Sequence, residues 1–305
     1  ESDPDGRLVG KAASQQQAGT SRSSDIDSMI REIVEPYIVP APDPQQAEMI
    51  AQIDSALGYR MGTILHHPDF QELEAAWRIL HFLVSRIETD ETLRIYVIDI
   101  SKAELAADMG AVETVESTGA YKLLVQQSVG TPGAESYSVL FGAYTFDESA
   151  EDIRLLRQFG WLAQAAGAPW LTAAHSHFAG CESIATTPDP DDWRRQADAS
   201  ALRLWQELRC SPEAAYIGLV LPRFLLRLPY GRDTDAIDEF DFEEFSPLAG
   251  HEQYLWGNSA AFSVCLLAEA FKDFGWNLTS RLRSELPSMP MHSYESDGTK
   301  QVSPC

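Results

Sequence analysis

The sequence predicts an α/β protein with a mixed or parallel sheet, flanked by helices, and an N-terminal helical hairpin. Between Tyr137 and Ala174, a candidate strand, a capped helix and a second candidate strand follow one another. This order is typical of a right-handed crossover between parallel strands. The apolar run from Tyr216 to Leu221 has the length of a further buried strand. Two long stretches with apolar residues at helical spacing precede these strands and predict the hairpin.

The beginning of the chain differs in composition from the rest. Residues 1–24 are rich in Ser, Gln, Gly and Asp and have few large apolar side chains, which predicts a disordered arm. Residues 25–44 are predicted to form a short amphipathic helix, with its apolar stripe between Ile26 and Val39, followed by a proline-rich linker. The α/β region is then predicted over residues 45–305.

The predicted hairpin consists of a helix from about Gln45 to Leu65 and a second helix from Pro68 to about Ile87. Only His66 and His67 separate them, and so short a connection favours antiparallel packing. We expect the second helix to bury six apolar residues that recur at helical spacing: Phe70, Leu73, Trp77, Leu80, Val84 and Ile87.

The remaining elements follow from local patterns. The β-rich run from Leu93 to Ile100 predicts a central strand. Ser101 and Glu104 have the spacing of a capping box, which predicts that a helix begins there. Ser149 is expected to cap a helix that ends at Gly167. Two further helices are predicted over Trp193–Leu208 and Tyr254–Phe274.

Charge and cysteine content restrict the function class. The chain has 46 acidic and 23 basic residues, a formal net charge of −23, so nucleic acid is not an expected partner. No uncharged apolar stretch is long enough to span a bilayer, and no signal-peptide pattern is visible. We therefore expect a soluble, intracellular protein without membrane insertion. The four cysteines are far apart and form no C-x-x-C pair, which favours neither a zinc knuckle nor a disulfide framework.

A cluster of possible metal ligands or catalytic groups follows the strand predicted at Trp170. His175, His177 and Cys181 are residue types that bind zinc, but no fourth ligand stands at a recognisable spacing. Cys181 with His175 or His251 as base would be the elements of a hydrolase. No established catalytic or nucleotide-binding motif accompanies them. Neither a metal nor a cofactor is predicted, and a metal-dependent or Cys-dependent hydrolase remains an alternative.

The segment from Leu221 to Phe245 combines arginines with carboxylates. If Phe224 to Leu228 forms a helical turn, Arg223 and Arg227 share one face. The acidic stretch that ends at Phe245 alternates aromatic and acidic residues, which places aromatic rings on one side of an extended chain and acids on the other. These groups could pair in the interior, form a subunit contact, or remain solvated.

Several long strings of sequence resemble one family. They are LPRFLLRLPYG, then FDFEE, then HEQYLWGNSAAF, preceded in the chain by ILHHPDFQELEAAWRILHFLV, GAYTFDESAEDIRLLRQFG and APWLTAA. In this order they resemble the large subunit of the type VI secretion contractile sheath (TssC/VipB, EvpB-like). The resemblance runs from about Gln46 to Trp276 and implies a contractile tail-sheath-like fold. Relative to that family, we expect the C-terminal part to be missing.

The resemblance implies a structural function and no enzymatic activity. Large sheath subunits pair with a small sheath subunit (TssB/VipA-like) and with neighbouring copies of themselves. The resulting helical tube surrounds an inner tube protein (Hcp-like), contracts to deliver effectors, and is dismantled by an ATPase (ClpV-like). The resemblance also implies a bacterial cytoplasmic location. A non-contracting baseplate or scaffold protein with the same fold is the main alternative.

Eight residues are candidates for subunit interfaces or for positioning the core. Arg223, Arg227, Glu243 and Glu244 are expected to stabilise the core block or a neighbour contact. Trp256 and Asn258 are expected to position the helix that follows them. Trp77 and Arg78, on the second helix of the predicted hairpin, complete the set: Arg223, Arg227, Glu243, Glu244, Trp256, Asn258, Trp77 and Arg78.

Overall fold

The computed structural model describes residues 28, 29, 32, 44–194, 198–245, 253–280, 285–296 and 299–302. The predicted arm over residues 1–24, and most of the predicted short helix and linker, lie outside the described residues. The chain divides into two units, Glu1–Ser55 and Ala56–Cys305. The predicted start of the α/β region at residue 45 stays a prediction.

A parallel sheet of three strands organises the larger unit. Its strands are β1 (Leu140–Phe146), β2 (Trp170–Ala174) and β3 (Ile217–Val220), in the order β1-β2-β3. Leu140 lies opposite Trp170, which lies opposite Ile217, and the register shifts between Gly142 and Thr145. The predicted crossover of parallel strands is therefore confirmed.

The described residues contain seven α-helices and several shorter elements. The helices are α1 (Pro44–Leu65), α2 (Pro68–Arg86), α3 (Lys102–Gly110), α4 (Gly119–Tyr121), α5 (Ala150–Ala166), α6 (Ala199–Arg209) and α7 (Ser259–Phe274). A π-helical segment, Lys122–Gln126, continues α4. Two antiparallel ladders join β4 (Phe224–Leu225) to β5 (Trp256–Gly257) and β6 (Ser293–Ser296) to β7 (Thr299–Val302). Short 3₁₀ turns occupy Val115–Ser117, Ser176–Ala179, Pro190–Asp192, Pro212–Tyr216 and Gly275–Ser280.

Local sequence signals explain where the helices begin and end. The Ser101 side chain accepts a hydrogen bond from the Glu104 amide, and the Glu104 carboxylate accepts one from the Ser101 amide, which forms the predicted capping box. Ser149 caps α5, and Gly167 ends it with a φ of 69°, a conformation that favours glycine. The last two predicted helices begin later than expected, at Ala199 and Ser259.

Helices cover both faces of the sheet and bury two apolar cores. One core contains Phe146 and Trp170 of the sheet, Phe159 of α5 and Leu208 of α6. The other packs α2 against α7 and the β4 strand, through Ile79, Leu83, Ile87, Phe224, Ala261, Cys265, Ala268 and Leu286. This arrangement is the layered architecture of an α/β protein. No helix among the described residues is long and apolar enough to cross a membrane.

The predicted central strand over Leu93–Ile100 is wrong. These residues have no regular secondary structure and pair with no strand of the described chain, and Tyr96, Val97 and Ile98 are exposed. Leu93 and Ile95 pack against the second core, while the Arg94 side chain bonds to Glu135. A β-rich composition indicates only that a segment suits a sheet, because the strand also requires a neighbour to complete its backbone hydrogen bonds.

The predicted hairpin is only partly observed. The helices end and restart at His66 and His67 as predicted, but the stripe expected to be buried on α2 faces solvent. Of its six residues only Ile87 is buried. The buried face of α2 is instead formed by Ile79, Leu83 and Ile87, because this is the face that packs against α7.

Candidate functional site

A buried arginine joins three parts of the chain. Arg227 Nη1 and Nη2 donate to the two carboxylate oxygens of Glu244, at 2.6 and 2.9 Å. Its Nε donates to Glu74 Oε1 of α2 at 2.8 Å. The side-chain exposures are 6% for Arg227, 2% for Glu244 and 13% for Glu74. We call these three residues the Arg227 cluster. Two-pronged pairing of this kind fixes the relative orientation of both planar groups.

Strand pairing, and not a helical turn, brings Arg227 to this position. Phe224 and Leu225 form β4 and pair with β5, so the helical turn considered for Phe224–Leu228 does not form. The Leu226 amide then donates to the Leu255 carbonyl. Phe224 and Leu225 are buried as expected, and the extended chain carries the Arg227 guanidinium towards α2.

Additional donors surround the two carboxylates. Arg78 Nε donates to Glu74 Oε1 at 2.7 Å, and Arg78 Nη2 donates to the Tyr230 hydroxyl at 3.3 Å. The Tyr230 amide donates to Glu244 Oε2 at 2.7 Å, and its ring lies 4.4 Å from the Arg227 guanidinium carbon. His66 Nε2 lies 3.3 Å from Glu244 Oε1. Each buried charge thus has the hydrogen bonds that its burial requires.

The ion pairs stabilise the charged forms of the cluster. Burial alone would lower the pKa of Arg227, but hydrogen bonds and charge from Glu244 and Glu74 outweigh it, so its pKa lies above the ordinary value. Burial alone would raise the pKa of Glu74, but hydrogen bonds from Arg227 and Arg78 outweigh it and the pKa is lowered. Arg227 and Glu74 therefore remain ionised over the physiological pH range.

Arg223, Trp256 and Asn258 form a separate group at the carboxyl ends of the sheet strands. The Arg223 guanidinium carbon lies 4.6 Å from the centre of a Trp256 ring. The Asn258 side-chain oxygen accepts from the Ala260 amide and caps α7, while Nδ2 donates to the Tyr144 carbonyl of β1 at 2.7 Å. Asn258 thus connects the start of α7 to the sheet.

Glu243 and Trp77 lie at the surface. Glu243 is exposed and accepts a hydrogen bond from the Arg232 amide at 3.0 Å, apart from the Arg227 cluster. Trp77 on α2 is 65% exposed. Of the eight predicted residues, the structure therefore brings Arg227, Glu244 and Arg78 together, and Arg223, Trp256 and Asn258 together.

Three contributors to the cluster were not identified from the sequence: Glu74, Tyr230 and His66. The spacing of four between Glu74 and Arg78 is a typical helical ion pair and could have identified Glu74 as a partner. Its second bond, to Arg227, spans 153 residues. No local pattern indicates such a contact.

The cluster of His175, His177 and Cys181 lies beside a cavity of about 340 Å³ at the carboxyl ends of the strands. The rings of His175 and His177 are 4.0 Å apart between centroids. His177 lies between carboxylates, with Nδ1 3.0 Å from Glu148 and Nε2 2.7 Å from Glu182. Among the residues that the structure describes, no three His, Cys, Asp or Glu side chains are arranged to hold a metal. His251, the other proposed base, lies outside them.

Cys181 is poorly suited to be a nucleophile. It is 3% exposed, and its Sγ donates to the Ser176 carbonyl at 3.6 Å. Burial, together with the charge of Glu182, raises the pKa of the Cys181 thiol. Because the thiolate is the reactive form, this environment opposes catalysis by Cys181.

The polar groups of the Arg227 cluster bind one another. Residues 47–305 match the family model of VipB, the EvpB/VC_A0108 tail sheath N-terminal domain. The chain is 38% identical over 256 residues to the type VI secretion system sheath protein TssC1 of Pseudomonas aeruginosa. This alignment covers 82% of the chain and 51% of that relative, so the chain spans about half its length.

The chain therefore belongs to the VipB tail sheath family, as its sequence strings predicted. This is a family of structural sheath proteins and not of enzymes. The hydrolase alternative is not supported by these matches.

Proposed function

We propose that the protein is a subunit of a type VI secretion contractile sheath that pairs with a small sheath subunit. The pairs assemble as a helical tube around an inner tube protein, and contraction of this tube drives effector delivery. The observation that carries this proposal is the family match over residues 47–305. The printed name of the relative, a type VI secretion system sheath protein, supports the same assignment.

The Arg227 cluster supports the rigid body that this function requires. A subunit that transmits force must keep its fold while its contacts with neighbours rearrange. The almost fully buried Arg227 joins Glu74 of α2 to Glu244, and Arg78 of α2, whose side chain is 36% exposed, bonds to Glu74 and to the Tyr230 hydroxyl. We assign Arg227, Glu244 and Arg78 to the core block. Asn258, Arg223 and Trp256 position α7 on the sheet in the same way.

Trp77 and Glu243 are the proposed neighbour contacts. Both are exposed and lie on segments that the cluster holds in place. The inner tube protein and the disassembly ATPase are the further proposed partners, and the bacterial cytoplasm is the proposed location.

Co-expression of the protein, at its full natural length, with a small sheath subunit tests the proposal. We expect pelleted material to contain hollow tubules by negative-stain electron microscopy. A folded product that forms no tubules would contradict the contractile function and favour a non-contracting scaffold. Glu243→Lys should impair tubule formation without changing the folding of the isolated chain. Arg209→Glu, on α6, is the matched charge-reversal control.

A further inference from the structure

Helix α2 carries apolar side chains on two neighbouring faces, only one of which is buried. One face packs in the second core through Ile79, Leu83 and Ile87. The other, which we call the outer stripe, consists of Phe70, Leu73, Trp77, Leu80 and Val84. Leu73, Trp77 and Val84 of the outer stripe are 57%, 65% and 52% exposed. A helix that is apolar on both sides is normally buried on both sides, so the outer stripe has the composition of a covered surface.

The spacing of the outer stripe indicates a helical partner. Its five residues follow one another at intervals of three, four, three and four, which is the repeat by which two helices interlock side chains. From Phe70 to Val84 the stripe extends roughly 21 Å along the helix axis, at about 1.5 Å per residue. A partner helix of about four turns would cover it.

The charges beside the outer stripe indicate the sign of that partner. Asp69 is exposed at its N-terminal end, four residues before Leu73 and therefore on the same side of the helix, and the chain carries a net charge of −23. By contrast, Glu74 and Arg78 turn away into the Arg227 cluster. A second copy of this chain would bring the same acidic group and the same net charge. Lysine or arginine beside the apolar residues of the partner would pair with Asp69.

We propose that the outer stripe of α2 binds an amphipathic helix of a different chain, with apolar residues at heptad spacing and basic residues beside them. This inference rests on the proposed function in that the partner would be another component of the same assembly. Trp77 is the central anchor, because it is the largest and most exposed residue of the stripe.

Binding of designed peptides to the chain tests this inference without requiring tubules. The probe is a fluorescent helix of about 21 residues, which is more than the roughly four turns required. It carries Leu at the two apolar positions of each heptad and Lys at the positions beside them. One control peptide replaces Lys by Glu, and another has the composition of the probe in scrambled order. We expect the probe to bind at least about tenfold more tightly than either control, measured by fluorescence anisotropy.

Variants localise the binding. Trp77→Ala should weaken probe binding by about tenfold or more, and Asp69→Lys should weaken the Lys probe while strengthening the Glu peptide. Trp276→Ala is the matched control, because Trp276 is 74% exposed elsewhere on the chain, and it should leave binding unchanged. Circular dichroism of each variant verifies folding.

Equal binding of probe and scrambled peptide, or no loss with Trp77→Ala, would overturn the inference. So would self-association of the unmodified chain that Trp77→Ala abolishes, because a second copy would then be the occupant. Failure of these binding tests while tubules still form would refute the partner helix alone. Intact binding without tubules would refute the proposed function alone.

Discussion

Replacing Arg227 by methionine tests the buried ion pairs of the Arg227 cluster. Methionine retains the length and apolar part of the side chain but removes the charge, which leaves the carboxylates of Glu244 and Glu74 without their main partner. Breaking a buried ion pair on one side costs about 3–5 kcal/mol, because the remaining charge stays buried. This is a large fraction of the roughly 5–15 kcal/mol by which domains are stable.

Urea unfolding followed by circular dichroism measures this loss. With a slope of about 2–3 kcal/mol per molar urea, the midpoint should fall by about 1–2 M. The matched control is Arg232→Met, which removes the same charge from a pair with Asp241 whose side chains are 71% and 82% exposed. It should leave the urea midpoint almost unchanged, because an exposed ion pair contributes little to stability. A loss below about 1 kcal/mol for Arg227→Met would refute the view that the cluster holds the core block.

The pH dependence of the same variant gives an independent check. The pKa of Glu74 is below its ordinary value of 4.5 in the folded protein, so the unfolded chain binds more protons as the pH falls. The contribution of Glu74 is therefore fully present above its unfolded pKa and is lost as pH falls through the lower folded pKa. Arg227→Met removes the main cause of this shift. The difference in unfolding free energy between the unmodified protein and Arg227→Met should be largest near neutral pH and should become smaller below about pH 4.5.

Three further predictions concern other parts of the fold. Asn258→Ala removes the cap of α7 together with the hydrogen bond to the Tyr144 carbonyl, and should lower the unfolding free energy by about 1–2 kcal/mol in urea titrations. Gly142→Ala places a methyl group 2.6 Å from the indole nitrogen of Trp170, so we expect a loss of about 1–3 kcal/mol by thermal denaturation. In the native protein, exposed Cys210 should react rapidly with a thiol reagent and buried Cys181 slowly, as mapped by mass spectrometry.

Local signals were sufficient for the helices and for the parallel sheet. Ser101, Ser149 and Gly167 act through bonds to residues a few positions away, so their effect is visible in a short window of sequence. The wrong prediction over Leu93–Ile100 arose because a strand depends on residues that are distant in the sequence. A strand is completed by a partner elsewhere in the chain, and the β-rich composition of that run contains no information about where a partner lies.

The candidate site was predictable in part for the same reason. Arg227 stood out because its charge is embedded in apolar sequence, which is unusual unless the charge is paired, and Glu244 because it belongs to the acidic stretch that follows. Glu74, the second carboxylate that Arg227 binds, lies far away in the chain, and its only local signal is the spacing to Arg78. The helical turn considered after Pro222 does not form, because Phe224 and Leu225 pair with β5 as a strand.

The orientation of α2 depends both on its apolar contacts and on its ion pairs. Apolar periodicity alone shows that a helix has a face to bury, but it does not show whether its own chain or another chain covers that face. On α2, the contacts of Glu74 and Arg78 with the Arg227 cluster fix the rotation of the helix about its axis. With Ile79 and Leu83 directed to α7, this rotation directs Trp77 outward. The buried ion cluster therefore determines which residues of α2 are offered to a neighbour, and loss of Arg227 should disturb binding at the outer stripe as well as stability.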